Sequence, residues 1–248
     1  MADVLGWRKL MGVIGPSTNT VVQPDMERMR PDGVTNHYSR IYVTDPVALS
    51  DEDFFAGTQA ISDNTLDAVR SVITCKPDYL VMGMSAVTFY GGIAGGEKFR
   101  QQVEDVASTA VSIGSESLVA ALRAYGGIKK VSFVSPYFPA ANAEVRNYLE
   151  ESGFEVVRDV ALQCRCWTDI AKVTPERLIE VLEELDGPDV DALVQVGTNL
   201  SMLDLAARTE ARLGKPVIAI NAATYWHALR ACGIEDRIEG LGRLLAEF

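Results

Sequence analysis

Two short stretches of this chain share one pattern, and they constrain its fold more than any other feature. They are residues 77–86 and residues 190–201. Each contains an aspartate, then Leu-Val, then a glycine accompanied by hydroxyl or amide side chains. A short apolar run that ends in this way is typical of a buried parallel strand with a binding site at its carboxyl end. Two such strands predict one pocket built from two related halves.

The rest of the chain alternates short apolar runs with helical patterns, which predicts an α/β protein with parallel sheets. We expect residues 1–113 together with 222–248 to form a first half, and residues 114–221 to form a second. Apolar runs that end at Pro16 and at Pro136 open these halves and resemble each other.

Four strand tips are predicted to face one cleft, because ligands of such sheets bind at the carboxyl ends of the strands. These tips are Asn19, Gly83–Ser85, Tyr137 and Gly197–Asn199. The glycine-rich run Gly91–Gly96 lacks a phosphate-binding signature, so we expect it to be a flexible lid or a tight turn.

Composition narrows the possible partners. The net charge is −11, which argues against a nucleic-acid partner and against an anionic membrane surface. No apolar run approaches the roughly 20 residues that span a bilayer, and residues 1–10 lack the pattern of a signal peptide, so we expect a cytoplasmic protein. The 4 cysteines and 2 histidines form no metal-binding signature.

Several segments carry a resemblance to a known family. They are Gly15–Thr20, Met82–Ser85 with Phe89–Gly92, Ser135–Tyr137 and Leu203–Arg230. They resemble the aspartate/glutamate racemase superfamily, in the branch of maleate cis-trans isomerases and arylmalonate decarboxylases. Residues 196–203 and 219–230 look most similar to maleate isomerase-like proteins of ectoine utilisation. The resemblance implies two pseudo-symmetric Rossmann-like halves with the site between them, no cofactor, and a homo-oligomer.

The family places a catalytic cysteine at one or both central strand tips, where a thiolate acts as base or nucleophile. Here Gly83 occupies the first of these positions and Gly197 the second. The resemblance therefore implies a small-carboxylate pocket whose chemistry does not use the family thiols.

Individual positions carry over from the same resemblance. Asn19 matches a carboxylate-binding asparagine, Tyr137 matches a hydrogen-bond-donating tyrosine, and Met84 with Ser85 match an oxyanion pocket. Thr198 follows the second cysteine position and offers its amide and hydroxyl. The predicted substrate-binding set is Asn19, Gly83, Met84, Ser85, Tyr137, Gly197, Thr198 and Asn199.

Proton transfer has fewer candidates. We predict catalytic roles for Tyr137 and Ser85, and for Asp169 as a base near the site. His37 and Arg40 are further candidates to reach the site from a lid segment. His227 is expected to pack within its helix, and Cys75 to be structural because it precedes its strand.

Three functions remain open. The first is a cofactor-independent isomerase, racemase or lyase that acts on a maleate-like or malonate-like carboxylate through enolate-type stabilisation. The second is a non-catalytic protein that retains the pocket and binds small carboxylates. The third is a lyase or hydrolase of an ectoine-derived amino acid.

Overall fold

The computed structural model describes residues 3–248, so residues 1 and 2 of the predicted first half lie outside the described residues. Two parallel sheets of four strands each dominate this part of the chain, which confirms the predicted α/β class. The strands are β1 (Lys9–Pro16), β2 (Val34–Ile41), β3 (Tyr79–Met82), β4 (Val111–Ser112), β5 (Lys130–Ser135), β6 (Glu155–Ala161), β7 (Ala192–Gln195) and β8 (Val217–Ala219).

Both sheets have the same internal order, which confirms the two related halves. The first sheet runs β2-β1-β3-β4 and the second runs β6-β5-β7-β8. In each, the first and third strands of the half lie at the centre, with fully buried residues such as Val81 and Val194. The two repeated stretches of the sequence are therefore the equivalent strands β3 and β7.

Helices cover the sheets and connect the strands. They are α1 (Val22–Arg28), α2 (Asp51–Val72), α3 (Ala86–Phe89), α4 (Gly92–Ala107), α5 (Gly114–Tyr125), α6 (Pro139–Glu151), α7 (Pro175–Leu185), α8 (Leu203–Leu213), α9 (Ile220–Ala231) and α10 (Arg243–Glu247). Single turns of 3-10 helix follow α2 at Ile73–Cys75 and precede α7 at Ile170–Lys172.

Local sequence signals set several of these boundaries. The Thr174 hydroxyl accepts a hydrogen bond from the backbone N–H of Arg177 at 3.3 Å, and Pro175 begins α7 at a position that favours proline. Gly214 ends α8 in the left-handed region with φ 67°.

The prediction for the glycine-rich run was wrong for most of its length. Gly92–Gly96 form the start of α4, whereas Gly91, with φ 74°, lies in the turn that precedes this helix. A Cβ on Gly95 would lie 1.9 Å from the Tyr90 carbonyl oxygen, and one on Gly96 would lie 2.8 Å from the Thr88 oxygen. The glycines are needed because this helix packs directly on the backbone of the preceding segment.

The position of α9 bears on the predicted division of the chain. It follows the last strand of the second sheet, yet it packs against α5 and against β3 and β4 of the first sheet. We keep residues 1–113 with 222–248, and 114–221, as the proposed units.

No helix in the described range 3–248 is long and apolar enough to cross a membrane.

Candidate functional site

The carboxyl ends of the central strands of both sheets meet around a cavity of about 50 Å³. The first half contributes the loop after β1, the tip of β3 and the middle of α2, and the second half contributes the tips of β5 and β7. The lining residues are Pro16, Thr18, Asn19, Ile61, Met84, Ser85, Ala86, Tyr137, Trp167, Ile170, Gly197, Thr198 and Asn199. Seven of the eight residues predicted to bind substrate line this cavity, and Gly83 lies directly behind it.

The lining of this cavity is electrically neutral. Its polar side chains are hydroxyls and amides, and none of the described lining residues is an aspartate, glutamate, lysine, arginine or histidine. Hydroxyl and amide groups donate hydrogen bonds without carrying charge. Such a site suits a carboxylate, or the negative charge that develops on an enolate.

Tyr137 and Ser85 form the buried polar pair of the site. Their hydroxyl oxygens lie 2.8 Å apart, and the residues are 3% and 2% exposed. Burial raises the pKa of Tyr137 above its ordinary value, so this phenol remains protonated near neutral pH. The phenol therefore can donate a hydrogen bond, and it carries one proton that can be transferred.

Asn19 and Thr198 join the two halves across the cavity. The Asn19 Nδ2 donates to the Thr198 Oγ1 at 3.1 Å, and the Thr198 hydroxyl donates to the Gly83 carbonyl at 3.0 Å. The Asn19 Oδ1 accepts from the backbone N–H groups of Val21 and Val22, both at 2.9 Å. These side chains fix the two tips relative to each other.

Asn199 has a similar bridging role. Its Oδ1 accepts from the backbone N–H of Thr20 at 2.9 Å, and its Nδ2 donates to the Trp167 carbonyl at 2.8 Å. The predicted substrate ligand therefore holds two loops, one from each half.

The backbone at the two tips supplies unpaired donors. In the chain from residue 3 to 248, the N–H groups of Met84, Ser85, Thr198 and Asn199 have no protein acceptor. Buried N–H groups are nearly always hydrogen-bonded, so donors of this kind at a cavity mark an anion-binding position.

The two glycines at the predicted cysteine positions differ in the room they leave for a side chain. A Cβ on Gly83 would lie 2.7 Å from the Val22 Cγ1 and 3.1 Å from the Ile14 carbonyl oxygen, but Gly83 does not have a positive φ. Gly197 has φ 97°, and a Cβ there would lie 2.3 Å from the Pro136 Cδ. The second tip therefore requires glycine in this conformation, whereas the first does not.

An aromatic group closes the cavity on the side away from the strand tips. Trp167 lies 5.0 Å from Phe54 of α2 between ring centroids, and Phe54 lies 5.4 Å from Tyr137. Ile61 and Ile170 complete this apolar side. Sequence reasoning missed these residues, because Trp167 and Ile170 reach the site from an irregular loop without a motif.

Asp169 is not brought to the cavity. Its side chain is 41% exposed and pairs with Lys172 at 2.8 Å. The hydrogen bond from Lys172 lowers the pKa of this carboxyl below its ordinary value. An exposed, ion-paired carboxylate is a weak base, and the structure gives it no contact with the lining.

The other titratable candidates also lie outside the lining. His37 contacts the Thr35 hydroxyl at 2.9 Å, while Arg40 donates to the Asn19 carbonyl at 2.6 Å and so supports the loop from behind. His227 contacts the hydroxyls of Ser112 at 3.2 Å and Ser117 at 3.1 Å, within the packing of α9.

None of the four cysteines, all within the described residues, lines the cavity. Cys75 lies before β3, at the opposite end of that strand from the tip. No group of three or more His, Cys, Asp or Glu side chains within residues 3–248 is placed to hold a metal ion.

Behind the second tip lies a buried carboxyl that the sequence did not single out. The Asn221 Nδ2 donates to the Asp25 Oδ2 at 2.8 Å and to the Thr198 carbonyl at 3.0 Å. Burial raises the pKa of Asp25 to about 6. The Asn221 Oδ1 is buried and has no partner among the described residues.

Comparisons with known proteins identify the family and the fold of this chain. The family model described as arylmalonate decarboxylase matches residues 12–245. A maleate isomerase from Pseudomonas putida is 28% identical over 250 residues, which cover 95% of this chain and 96% of that protein. The arylmalonate decarboxylase of Bordetella bronchiseptica is 23% identical over 194 residues, covering 77% and 80% of the two chains.

A similar fold is found in a solved structure of the Nocardia farcinica maleate cis-trans isomerase, in a mutant with a covalently bound succinylcysteine intermediate. It superposes with a TM-score of 0.87 at 23% identity, covering 97% of this chain and 99% of that one. A structure of the Pseudomonas putida S16 maleate isomerase with maleate gives a TM-score of 0.83 at 24% identity, covering 96% and 97%.

Proposed function

The chain belongs to the arylmalonate decarboxylase family, and we propose that it decarboxylates a small malonate-type dicarboxylate without a cofactor and without a catalytic thiol. The observation that carries this proposal is the neutral cavity between the two halves. Among residues 3–248, this cavity is lined by hydrogen-bond donors from both strand tips and by no ionisable side chain other than the Tyr137 phenol.

The donor set favours decarboxylation over the other reactions of the branch. Racemisation needs a base that removes a proton from carbon, and rotation about the double bond of maleate needs a nucleophile that adds to it. Decarboxylation needs neither, because the carbon–carbon bond itself supplies the electron pair. Carbon dioxide leaves, the pair passes into the retained carboxylate as an enediolate, and a proton then adds to the α-carbon.

The strand tips are placed to stabilise the enediolate. The retained carboxylate binds the free N–H groups of Met84, Ser85, Thr198 and Asn199, and these donors interact most strongly when the second negative charge develops. One donor of this kind contributes about 3–4 kcal/mol to a transition state of similar charge.

The apolar side of the cavity is placed to accept the leaving group. Ile61 and Ile170 have no polar side-chain atom to bind an ionised carboxylate, and all but one atom of the Trp167 ring system is carbon. A carboxylate there is poorly solvated, whereas neutral carbon dioxide is not, so this environment favours loss of the charge.

Tyr137 is the proposed proton donor. Its phenol is protonated, buried and oriented by the Ser85 hydroxyl. A phenol with a raised pKa is a weak acid, but the α-carbon of an enediolate is a much stronger base. Water then restores the proton to the phenolate, so each turnover consumes one proton and releases one carbon dioxide.

The test is release of carbon dioxide from malonate, methylmalonate and arylmalonates, with the monocarboxylate product followed by NMR in deuterated water. We expect one deuterium at the α-carbon. We expect Tyr137→Phe to lower kcat about 100-fold or more with little change in KM, because binding by the backbone amides is retained. Tyr225→Phe is the matched control, since that buried tyrosine donates to Asn36 away from the cavity. Equal loss in both variants contradicts the assignment of Tyr137.

A second candidate is a non-catalytic carboxylate-binding protein. The side chains of Asn19, Thr198 and Asn199 already bind one another or neighbouring loops, and this observation favours a preformed receptor. Saturable binding of malonate without carbon dioxide release identifies this function. Maleate, aspartate and ectoine breakdown products belong in the same screen, because residues 196–203 and 219–230 resemble maleate isomerase-like proteins of ectoine utilisation.

We further propose a cytoplasmic location and, on the basis of the family resemblance, a homo-oligomer. Size-exclusion chromatography with light scattering tests the assembly, and a monomer at all concentrations contradicts it.

A further inference from the structure

We propose that Trp167 is the residue that sets the size of the substrate, and that it restricts the site to malonates with no substituent or a methyl group and excludes aryl groups. The inference rests on the proposed function for the carboxylate chemistry. The Trp167 indole forms one wall of the cavity. The packing of this wall can be tested without any carboxylate.

The first support is the way the indole fits against α2. A Cβ added to Gly57 would lie 2.8 Å from the Trp167 Cζ2, so the ring occupies the space that a side chain would fill on this face of the helix. The ring also packs against Phe54, one turn earlier on the same helix, at 5.0 Å between centroids. The indole is thus wedged between the cavity and a helix of the other half.

The second support is the backbone around Trp167, which both halves hold in place. Its carbonyl accepts the Asn199 amide at 2.8 Å. The neighbouring Arg165 carbonyl accepts from the backbone N–H of Ala48 at 2.6 Å, and the Thr168 N–H donates to the Asp45 carboxylate at 3.2 Å. Asn199 therefore acts as a positioning residue for the wall.

The third support is the volume that the wall leaves. The cavity measures about 50 Å³. A water molecule needs roughly 10–15 Å³ on this scale, so the space corresponds to roughly three to five waters. Two carboxylates and a central carbon fill it, and an additional phenyl ring does not fit unless the indole is removed.

The experiment compares the wild type with Trp167→Ala and with Trp7→Ala as the matched control, since Trp7 is 59% exposed and lies outside the lining. Three probes are titrated by NMR and calorimetry: toluene, malonate and phenylmalonate. Removing the indole opens an apolar space, and such a space binds apolar aromatic molecules. We expect toluene to bind Trp167→Ala only. We expect the affinity ratio of phenylmalonate to malonate to rise at least about tenfold in Trp167→Ala and not in Trp7→Ala.

The possible results distinguish the role of Trp167 in substrate size from the proposed decarboxylation. If toluene binds only to Trp167→Ala while no protein binds a dicarboxylate, the wall is supported and the proposed function fails. If the wild type binds phenylmalonate as tightly as malonate, or if folded Trp167→Ala gains neither toluene nor phenylmalonate, the wall is overturned. Trp167→Phe replaces Trp167→Ala if the latter does not fold, with a smaller expected gain in the same direction.

Discussion

We expect Asp25→Asn to stabilise the protein above about pH 6, because the folded chain holds this carboxyl where ionisation is costly. Burial is the main cause that raises the pKa of Asp25 from 3.8 to about 6. A carboxyl whose pKa is raised by folding contributes most stability when protonated, below its unfolded pKa. That contribution is lost as the pH rises from about 4 to about 6 and stays lost at higher pH.

The size of the effect follows from the two pKa values of Asp25. A rise from 3.8 to about 6 corresponds to about 3 kcal/mol in the free energy of unfolding. Asparagine carries no charge and retains an oxygen that can accept from Asn221. Its amide can also donate to the Asn221 Oδ1, which has no partner in the part of the chain that the structure describes. We expect a gain of about 1–3 kcal/mol at pH 7.5 that vanishes near pH 4.

Urea denaturation of the wild type and the variant between pH 4 and pH 8 measures this difference. Asp204→Asn is a matched control with the opposite sign, because the hydrogen bond from Arg28 lowers the pKa of Asp204. That exposed pair contributes at most about 1 kcal/mol, lost as the pH falls. The reasoning is refuted if Asp25→Asn destabilises the protein at pH 7.5, or if its effect is the same at every pH.

Two further substitutions test the strand tips, and one chemical modification tests the role of the cysteines. Thr198→Val removes the bonds to Asn19 and to the Gly83 carbonyl, and we expect about 2–4 kcal/mol of destabilisation in urea, because both partners remain buried. Gly197→Ala forces a side chain into a positive-φ position against a proline ring, and we expect a loss of about 3 kcal/mol or more in the same assay. Alkylation of Cys75 with iodoacetamide is expected to leave turnover unchanged, because this exposed thiol lies at the opposite end of its strand from the site.

For each of these three predictions, a specific result would contradict the reasoning. Gly214→Ala is the control for Gly197→Ala, since Gly214 also has positive φ but would meet nothing within 4 Å. Equal losses in the two variants contradict the role of the close contact. A loss below about 1 kcal/mol in Thr198→Val contradicts the cross-half bridge. Inactivation that follows Cys75 alkylation contradicts a thiol-independent mechanism.

The sequence was sufficient for the architecture because the decisive signals are local. The repeated pattern that ends in Gly83 and Gly197 marks the two equivalent central strands, and the alternation of strands and helices fixes the parallel class. Thr174 at the start of α7 and Gly214 at the end of α8 are residue types that favour these positions, so such boundaries also follow from local sequence. The glycine-rich run was misread because a close backbone contact, which only the folded chain reveals, was taken for flexibility.

The site was only partly predictable, because much of it depends on contacts between distant segments. The residues at the tips are predictable from the sequence, but the Thr198 hydroxyl that binds the Asn19 amide and the Thr20 N–H that binds the Asn199 oxygen each belong to the opposite half. Trp167 reaches the cavity from a loop without a motif, and Asp169, two residues later, points to Lys172 instead. The raised pKa of Asp25 depends on burial, which has no local signature.

The conformation of the second tip also limits the changes by which this protein could acquire thiol chemistry. A single substitution that places cysteine at Gly197 meets the Pro136 ring and an unfavourable backbone, so it is expected to reduce stability before it gives any new reactivity. The same change at Gly83 has no positive φ to overcome, although a Cβ there would lie 2.7 Å from the Val22 Cγ1 and 3.1 Å from the Ile14 carbonyl oxygen. In natural and in laboratory evolution alike, the first cysteine is therefore easier to gain at Gly83 than at Gly197. The two halves share one fold but differ in their capacity to accept this substitution.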